Sequence, residues 1–242
     1  MKEKSLTLIG HLSELRKRII IVAVAFVVAS TISYFYVEKL VKSLVKLATT
    51  FKFVYVAPAE LLLAYVKVSI IAGLTISAPI IFWQIWAFVK PGLKKEEKNY
   101  ILVSLIGGSL FFISGVVFAY FIVLPFTLQF FGTLQTVDIK PMISFGNYVG
   151  FVTTILLCFG LVFETPILMI LLARFGIVDV KFYTKNRKYI ILIIFIIAAI
   201  ITPPDVISQV LLAIPMLLLF EIGIILSKLA VKKKMKKALL KQ

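Results

Sequence analysis

Charge is what this chain has least of. Only 16% of its 242 residues are Asp, Glu, Lys or Arg, against 61% that are hydrophobic. A soluble domain carries about 25% charged residues, so there is too little polar surface here to cover a water-facing protein. Cysteine is nearly absent: the lone Cys158 excludes an intrachain disulfide and leaves the redox compartment unread. A single His and no Cys/His cluster argue against a metal site, and no cofactor motif is present. There is no P-loop, and no His or Lys/Asp arrangement accompanies Thr202, Ser208 or Cys158, which argues against an enzyme. No cleavable signal is evident, because the charged start Met1–Arg18 runs into an apolar stretch too long for a signal core.

What is present is a series of apolar blocks. A membrane-spanning helix needs about 20 apolar residues at 1.5 Å rise each. Blocks of that kind fall at Ile19–Val37, Val66–Val89, Tyr100–Leu124, Tyr148–Ala173, Tyr189–Thr202 and Val206–Ser227. These predict an all-α polytopic membrane protein forming one integral membrane domain over 1–242. The fifth block has only Tyr189–Ile201 before Thr202-Pro203-Pro204-Asp205, roughly 20 Å of helix. It is either a re-entrant half-helix or a true span that thins the bilayer locally. Its flanks favour the span: Lys185, Arg187 and Lys188 precede it, and no Lys or Arg follows until Lys228.

Basic residues set the orientation. Met1–Arg18, Lys90–Asn99, Arg174–Lys188 and the tail Lys228–Gln242 together hold 21 of the 27 Lys and Arg, and the opposite face holds six. The prediction is six spans with both termini in the cytoplasm. The net charge of +16 then faces anionic lipid head groups, with no aromatic-interleaved patch to suggest nucleic acid. Two outer segments are sizeable. In Glu38–Tyr65, Pro58-Ala59-Glu60 reads as a helix start with a first-turn acid. In Pro125–Asn147, Phe126, Phe130 and Phe131 suggest a helix near the interface. No internal repeat is visible, which weakens a transporter built from inverted halves.

Glu164 is the first candidate for function, because a carboxylate inside a span is expensive. It lies roughly 13 Å from the cytoplasmic end of its block, and Pro166 can open the helix at the same depth. A protonated Glu bonded to a neighbouring helix is the plainer alternative. Cytoplasmic carboxylates come next. Glu14 is four residues before Arg18 on an expected interfacial helix, Leu12–Arg18, and Glu96 and Glu97 open the third span. Carboxylates at two chain positions can clamp a guanidinium pair. By charge alone the ordinary i,i+4 pair and helix-start electrostatics prevail. Asp205 suits the N-cap of the sixth helix, Gln209 and Thr202 can bond a partner helix, and Glu221 sits near the inner end of the last span. A small-solute transporter using Glu164, or a structural assembly subunit, remains open on these residues.

His11-Leu12-Ser13-Glu14-Leu15-Arg16-Lys17-Arg18 resembles the amino-terminal signature of TatC, the multispanning receptor subunit of the twin-arginine protein translocase. Further resemblances are Ser77-Ala78-Pro79, the run Phe82-Trp83-Gln84-Ile85-Trp86-Ala87-Phe88-Val89-Lys90-Pro91-Gly92-Leu93, and Phe163-Glu164-Thr165-Pro166. They continue through Arg187-Lys188-Tyr189 and Thr202-Pro203-Pro204-Asp205-Val206-Ile207-Ser208-Gln209 to Phe220-Glu221-Ile222-Gly223, in family order. The resemblance implies a concave, glove-like wall of six helices, short in the fifth and sixth, in a cell inner (cytoplasmic) membrane. It implies binding of twin-arginine signal peptides on folded cargo, assembly with single-span partner subunits, self-association, and transport driven by the protonmotive force. It would place Glu14, Glu97 (with Glu96 adjacent) and Phe88 on the signal-binding surface. Glu164 would line the concavity, Thr202 and Gln209 would meet a partner subunit, and Asp205 would be the outer-turn acid. The resemblance reverses the plainer reading of Glu14 and Glu97 in favour of arginine binding.

Overall fold

The computed structural model describes residues 8–92, 95–133, 142–201 and 206–239, with side chains over 10–91, 98–133, 142–201 and 206–232. Helix α1 is Leu8–Phe35, α2 Val37–Leu47, α3 Pro58–Val89, α4 Lys95–Phe118 and α5 Leu124–Thr133. Then follow α6 Phe145–Phe163, α7 Thr165–Phe175, α8 Val180–Lys185, α9 Arg187–Ile201 and α10 Val206–Leu239. Two short strands, β1 Lys52–Val54 and β2 Met142–Ser144, a 3-10 turn at Lys90–Gly92 and a π-helical turn at Ala119–Val123 complete the described elements. Lipid offers no hydrogen bonds to a backbone, so near-complete helicity is what the apolar blocks require.

Among the described residues, five stretches are long and apolar enough to cross a membrane: Gly10–Phe35, Pro58–Val89, Lys98–Thr133, Phe145–Phe175 and Val206–Lys232. Helix α9, with 15 residues, is about 22 Å long and falls short of a full bilayer core. Apolar side chains face outward in the manner lipid demands: Ile20, Val24, Val27 and Ile32 on α1, and Leu192, Ile196 and Ile200 on α9, are all exposed.

Two expectations change in detail. Leu12–Arg18 is not a separate interfacial helix; it is the start of α1, continuous into the apolar stretch. The helix expected after Pro125 likewise runs on from α4 through a π-helical turn, Ala119–Val123. The wide turn precedes Pro125, whose ring and missing N–H disturb the carbonyls one turn back. Pro166 has a comparable effect between α6 and α7, where helix is lost at Glu164 alone.

Helices α1 and α3 pack closely and antiparallel, and small residues make this possible. A Cβ on Gly73 would lie 2.2 Å from Ser30 Oγ and 2.5 Å from Ser30 Cα. Ser69 and Ser77, one turn either side of Gly73, are also buried. Small residues at this spacing let two backbones approach, the usual basis of helix association in lipid.

The outer ends are bound together separately. Helix α2 is amphipathic, burying Val37, Val41 and Leu44 and leaving Glu38, Lys39, Lys42 and Lys46 outward. Its last carbonyls accept from the core: Tyr148 Oη donates to Leu44 O at 2.7 Å and Tyr120 Oη to Ser43 O at 3.3 Å. Strands β1 and β2 pair in parallel, Lys52 opposite Met142 and Val54 opposite Ser144. Glu60, in the first turn of α3, fastens this pairing. Its Oε2 accepts from the amides of Val56 (2.8 Å) and Ala57 (3.4 Å), closing its own helix start. Its Oε1 accepts from the Ser144 hydroxyl and from the Gly146 amide at 2.6 Å, where α6 begins. One carboxylate thus caps two helix N-termini, each of which favours negative charge.

Two expected outcomes follow. Gly73→Ala should lower stability by about 1–3 kcal/mol through overpacking against the Ser30 backbone. Thermal unfolding in detergent checks this, and an unchanged melting temperature contradicts the close approach. Glu60→Gln removes the negative charge that both helix starts favour and should speed amide exchange at Val56 and Gly146. Wild-type exchange in that variant would show the clamp to be idle.

Candidate functional site

The end of the α1–α3 pair where α1 begins and α3 ends carries a grouping of polar and aromatic side chains. Residues 11, 14 and 18 recur at i, i+3 and i+7 and share one face of α1; residues 84 and 88 share one face of α3. Antiparallel packing brings the two faces together. The His11 ring stacks on Phe88, centroids 4.5 Å apart and planes 22° from parallel. Arg18 Nη1 donates to Gln84 Oε1 at 3.0 Å, and Nη2 donates to Glu14 Oε1 at 3.2 Å. Glu14 and Arg18 keep 22% and 27% of their side-chain surface exposed. The grouping is therefore fixed on helices and still open to a ligand. Arg16 and Lys17 are exposed beside it.

Neighbouring cations are held by aromatic rings. Lys90 Nζ sits 4.4 Å from the centroid of Trp86, which packs on Trp83 at 4.9 Å. The Arg174 guanidinium lies 3.3 Å above the Tyr100 ring. Such contacts draw a cation to the face of an aromatic ring and help to place these basic side chains. Glu221, which the sequence leaves at the end of the last span, instead meets Arg187 at 2.5 Å and ties the start of α9 to α10.

Glu164 lies apart from this grouping, at the break between α6 and α7. It is 8% exposed, and its Oε1 is buried without a hydrogen bond among the described residues. The helix resumes at once: Glu164 O accepts from Leu168 N at 2.9 Å. Space for the carboxylate comes from α4. A Cβ on Gly108 would stand 2.9 Å both from Glu164 Oε2 and from the Phe82 ring of α3. An acid, a glycine and an aromatic from three helices therefore meet at one point.

The structure thus brings Glu14 and Phe88 to one surface and sets Glu164 elsewhere. The side chains of Glu96 and Glu97, and all of Thr202 and Asp205, lie outside the described residues. Gln209 is half-buried, and its Nε2 donates to Phe195 O of α9 at 3.0 Å, so one of its two amide hydrogens is engaged within the chain. Four contributors were not singled out from the sequence as site residues. Arg18 and His11 carried a helical spacing that marks one face with Glu14. Gln84 stood out only as a polar residue in an apolar block, and Gly108 had no signal beyond the Gly107-Gly108 pair.

Comparison with known proteins bears on this arrangement. Residues 10–215 match the family model described as Sec-independent protein translocase protein (TatC). The chain is 43% identical over 235 residues to the Sec-independent protein translocase protein TatC of Carboxydothermus hydrogenoformans, covering 94% of this chain and 95% of that protein. It is 40% identical over 230 residues to the protein of that name from Aquifex aeolicus, covering 93% and 95%. A crystal structure of the twin arginine translocase receptor TatC superposes with a TM-score of 0.80 at 39% identity, covering 91% of this chain and 99% of that one.

The contact between Gly108 and Glu164 makes a non-additive pair of substitutions. Gly108→Ala should destabilise the chain less in a Glu164→Ala background than alone, with a coupling of about 0.5–3 kcal/mol. Thermal unfolding of the four proteins in detergent measures it; additive effects would mean that the two residues do not constrain each other.

Proposed function

The chain belongs to the TatC family of Sec-independent protein translocase proteins, and from that premise we propose that it binds the twin-arginine signal peptides of folded cargo at the Glu14–Phe88 surface. Family membership makes it a multi-pass membrane component of a protein translocase, not an enzyme. The finer reading has six spans, α9 being the short fifth, in a cell inner membrane with both termini cytoplasmic. The 21 basic residues on one face support that orientation.

The observation that carries the receptor reading is the partly open Glu14 carboxylate, held beside Phe88 and His11 on an otherwise basic face. Two arginines approaching that face are repelled everywhere except at such an acid. Their planar forks can grip a carboxylate at two points, which an ammonium cannot do. Glu97, with Glu96 beside it, supplies the second carboxylate in this reading. Phe88 supplies a flat apolar wall for the signal's side chains.

The remaining assignments follow the same proposal. Glu164 is a polar group lining the inner wall of the helix array, kept in place by Gly108 and the break before Pro166. Thr202 and Gln209 meet a single-span partner subunit; one Gln209 amide hydrogen is used on α9, which leaves the second and the carbonyl oxygen for the partner. Asp205 is the outer-turn acid. The chain self-associates with further copies, and the protonmotive force drives transport.

Binding of a labelled twin-arginine signal peptide to the purified full chain in detergent tests the reading. Replacing either Glu14 or Glu97 by Ala should weaken binding about 10- to 100-fold, the scale of a lost charge-assisted hydrogen bond. Phe88→Ala should weaken it less, and a twin-lysine peptide should bind poorly. Equal affinity of the wild-type chain for both peptides would overturn the receptor assignment.

A further inference from the structure

Arg18 is an arginine already seated on the carboxylate assigned to the signal. We propose that it is an intramolecular surrogate for a signal arginine: it holds Glu14 in the resting chain, gives way when a signal docks, and reclaims the acid as the signal leaves. The inference rests on the reading of Glu14 as a signal-binding residue and adds the regulation of that site.

The geometry is that of an exchangeable pair. Arg18 touches Glu14 through a single nitrogen, Nη2 to Oε1, at 3.2 Å. A guanidinium and a carboxylate at their strongest make two parallel bonds at about 2.7–2.9 Å. Among the described residues Oε2 of Glu14 accepts no hydrogen bond, so half of the acid stays open. The guanidinium is itself under-used: its Nε is buried with no acceptor. What prevents the better fork-to-fork geometry is the other hand of Arg18, whose Nη1 is held 3.0 Å from Gln84 Oε1 on α3.

Those two anchors explain how exchange can occur without expelling a charge. An incoming guanidinium that binds Glu14 through both oxygens needs Oε1 and must displace Nη2. Arg18 then keeps its bond to Gln84, so it is never left without an acceptor at the membrane edge. An incoming ammonium needs one oxygen and can use Oε2 with Arg18 in place. The surrogate therefore weakens binding of the ligand that grips the acid at two points, and leaves a one-point ligand little affected. It also hastens release, because a replacement donor stands one helical turn away throughout. In the resting chain it occupies an acid that the many nearby lysines would otherwise compete for.

The test is binding and dissociation of twin-arginine and twin-lysine signal peptides with the full chain in detergent, comparing wild type, Arg18→Lys, Arg18→Gln and Glu14→Gln. Arg18→Lys keeps the charge but cannot hold Glu14 and Gln84 together. It is expected to tighten twin-arginine binding about two- to fivefold, the factor of one exposed ion pair. The gain should appear as slower dissociation, with twin-lysine affinity unchanged. Arg18→Gln should tighten twin-arginine binding by more than twin-lysine. An equal gain for both peptides in each variant would mark a bulk charge effect and overturn the proposal. Unchanged or weaker twin-arginine binding, the result of a merely supporting role, would overturn it as well. The Glu14→Gln arm separates the two layers. If it binds twin-arginine as wild type does, the assignment of Glu14 falls and this proposal with it. If it loses binding while the Arg18 variants gain nothing, only the surrogate falls. A melting curve for each variant confirms that a folded chain is compared; if Arg18→Gln unfolds, Arg18→Lys decides alone.

Discussion

The close approach of α1 to α3 at Gly73 and Ser30 is the contact on which the inner face depends. In lipid no apolar drive pushes two helices together, so their register comes from where backbones can touch. Once Gly73 faces Ser30, antiparallel helices place Arg18 beside Gln84 and His11 over Phe88. Those pairs lie many residues from the crossing and inherit its register. A small residue in mid-span thereby sets the geometry of polar groups at the membrane edge.

The outer face solves a different problem by a different means. There the chain leaves helix for loops, and the freed backbone groups need partners. Glu60 provides for two helix starts at once, the β1–β2 pair joins two outer segments, and the Tyr148 and Tyr120 hydroxyls satisfy the end of α2. The two ends of the helix array are thus held differently, one by side-chain contacts across a helix pair, the other by hydrogen bonds that close loops.

Much of the architecture was legible because membrane helices are written locally. Long apolar blocks, the Pro58–Glu60 helix start and the 21 basic residues on one face need no tertiary information, and the family resemblance covered the chain from residue 11 to about 223. The signal-binding roles proposed for Glu14 and Phe88 rest only on that resemblance. Charge alone favoured an ordinary Glu14–Arg18 pair, and such a pair is indeed present, with Gln84 as its third member. Meetings between helices were not legible. Gly108 beside Glu164, and Glu60 reaching Ser144, join residues 56 and 84 positions apart, and nothing in either neighbourhood announces the other. The separate helix expected at Leu12–Arg18 failed for a related reason: polar residues at a helix start look alike whether the helix lies on a membrane or enters it.

The break at Glu164 divides one apolar stretch between two sets of neighbours. Helix α6 packs on α4 and α3, whereas α7 packs mainly on α10. Pro166 supplies no amide to the turn before it, so the chain bends most easily there. The two halves of that stretch are therefore held by different partners, and the seam between them is a single residue, a carboxylate set between the Phe82 ring and Gly108.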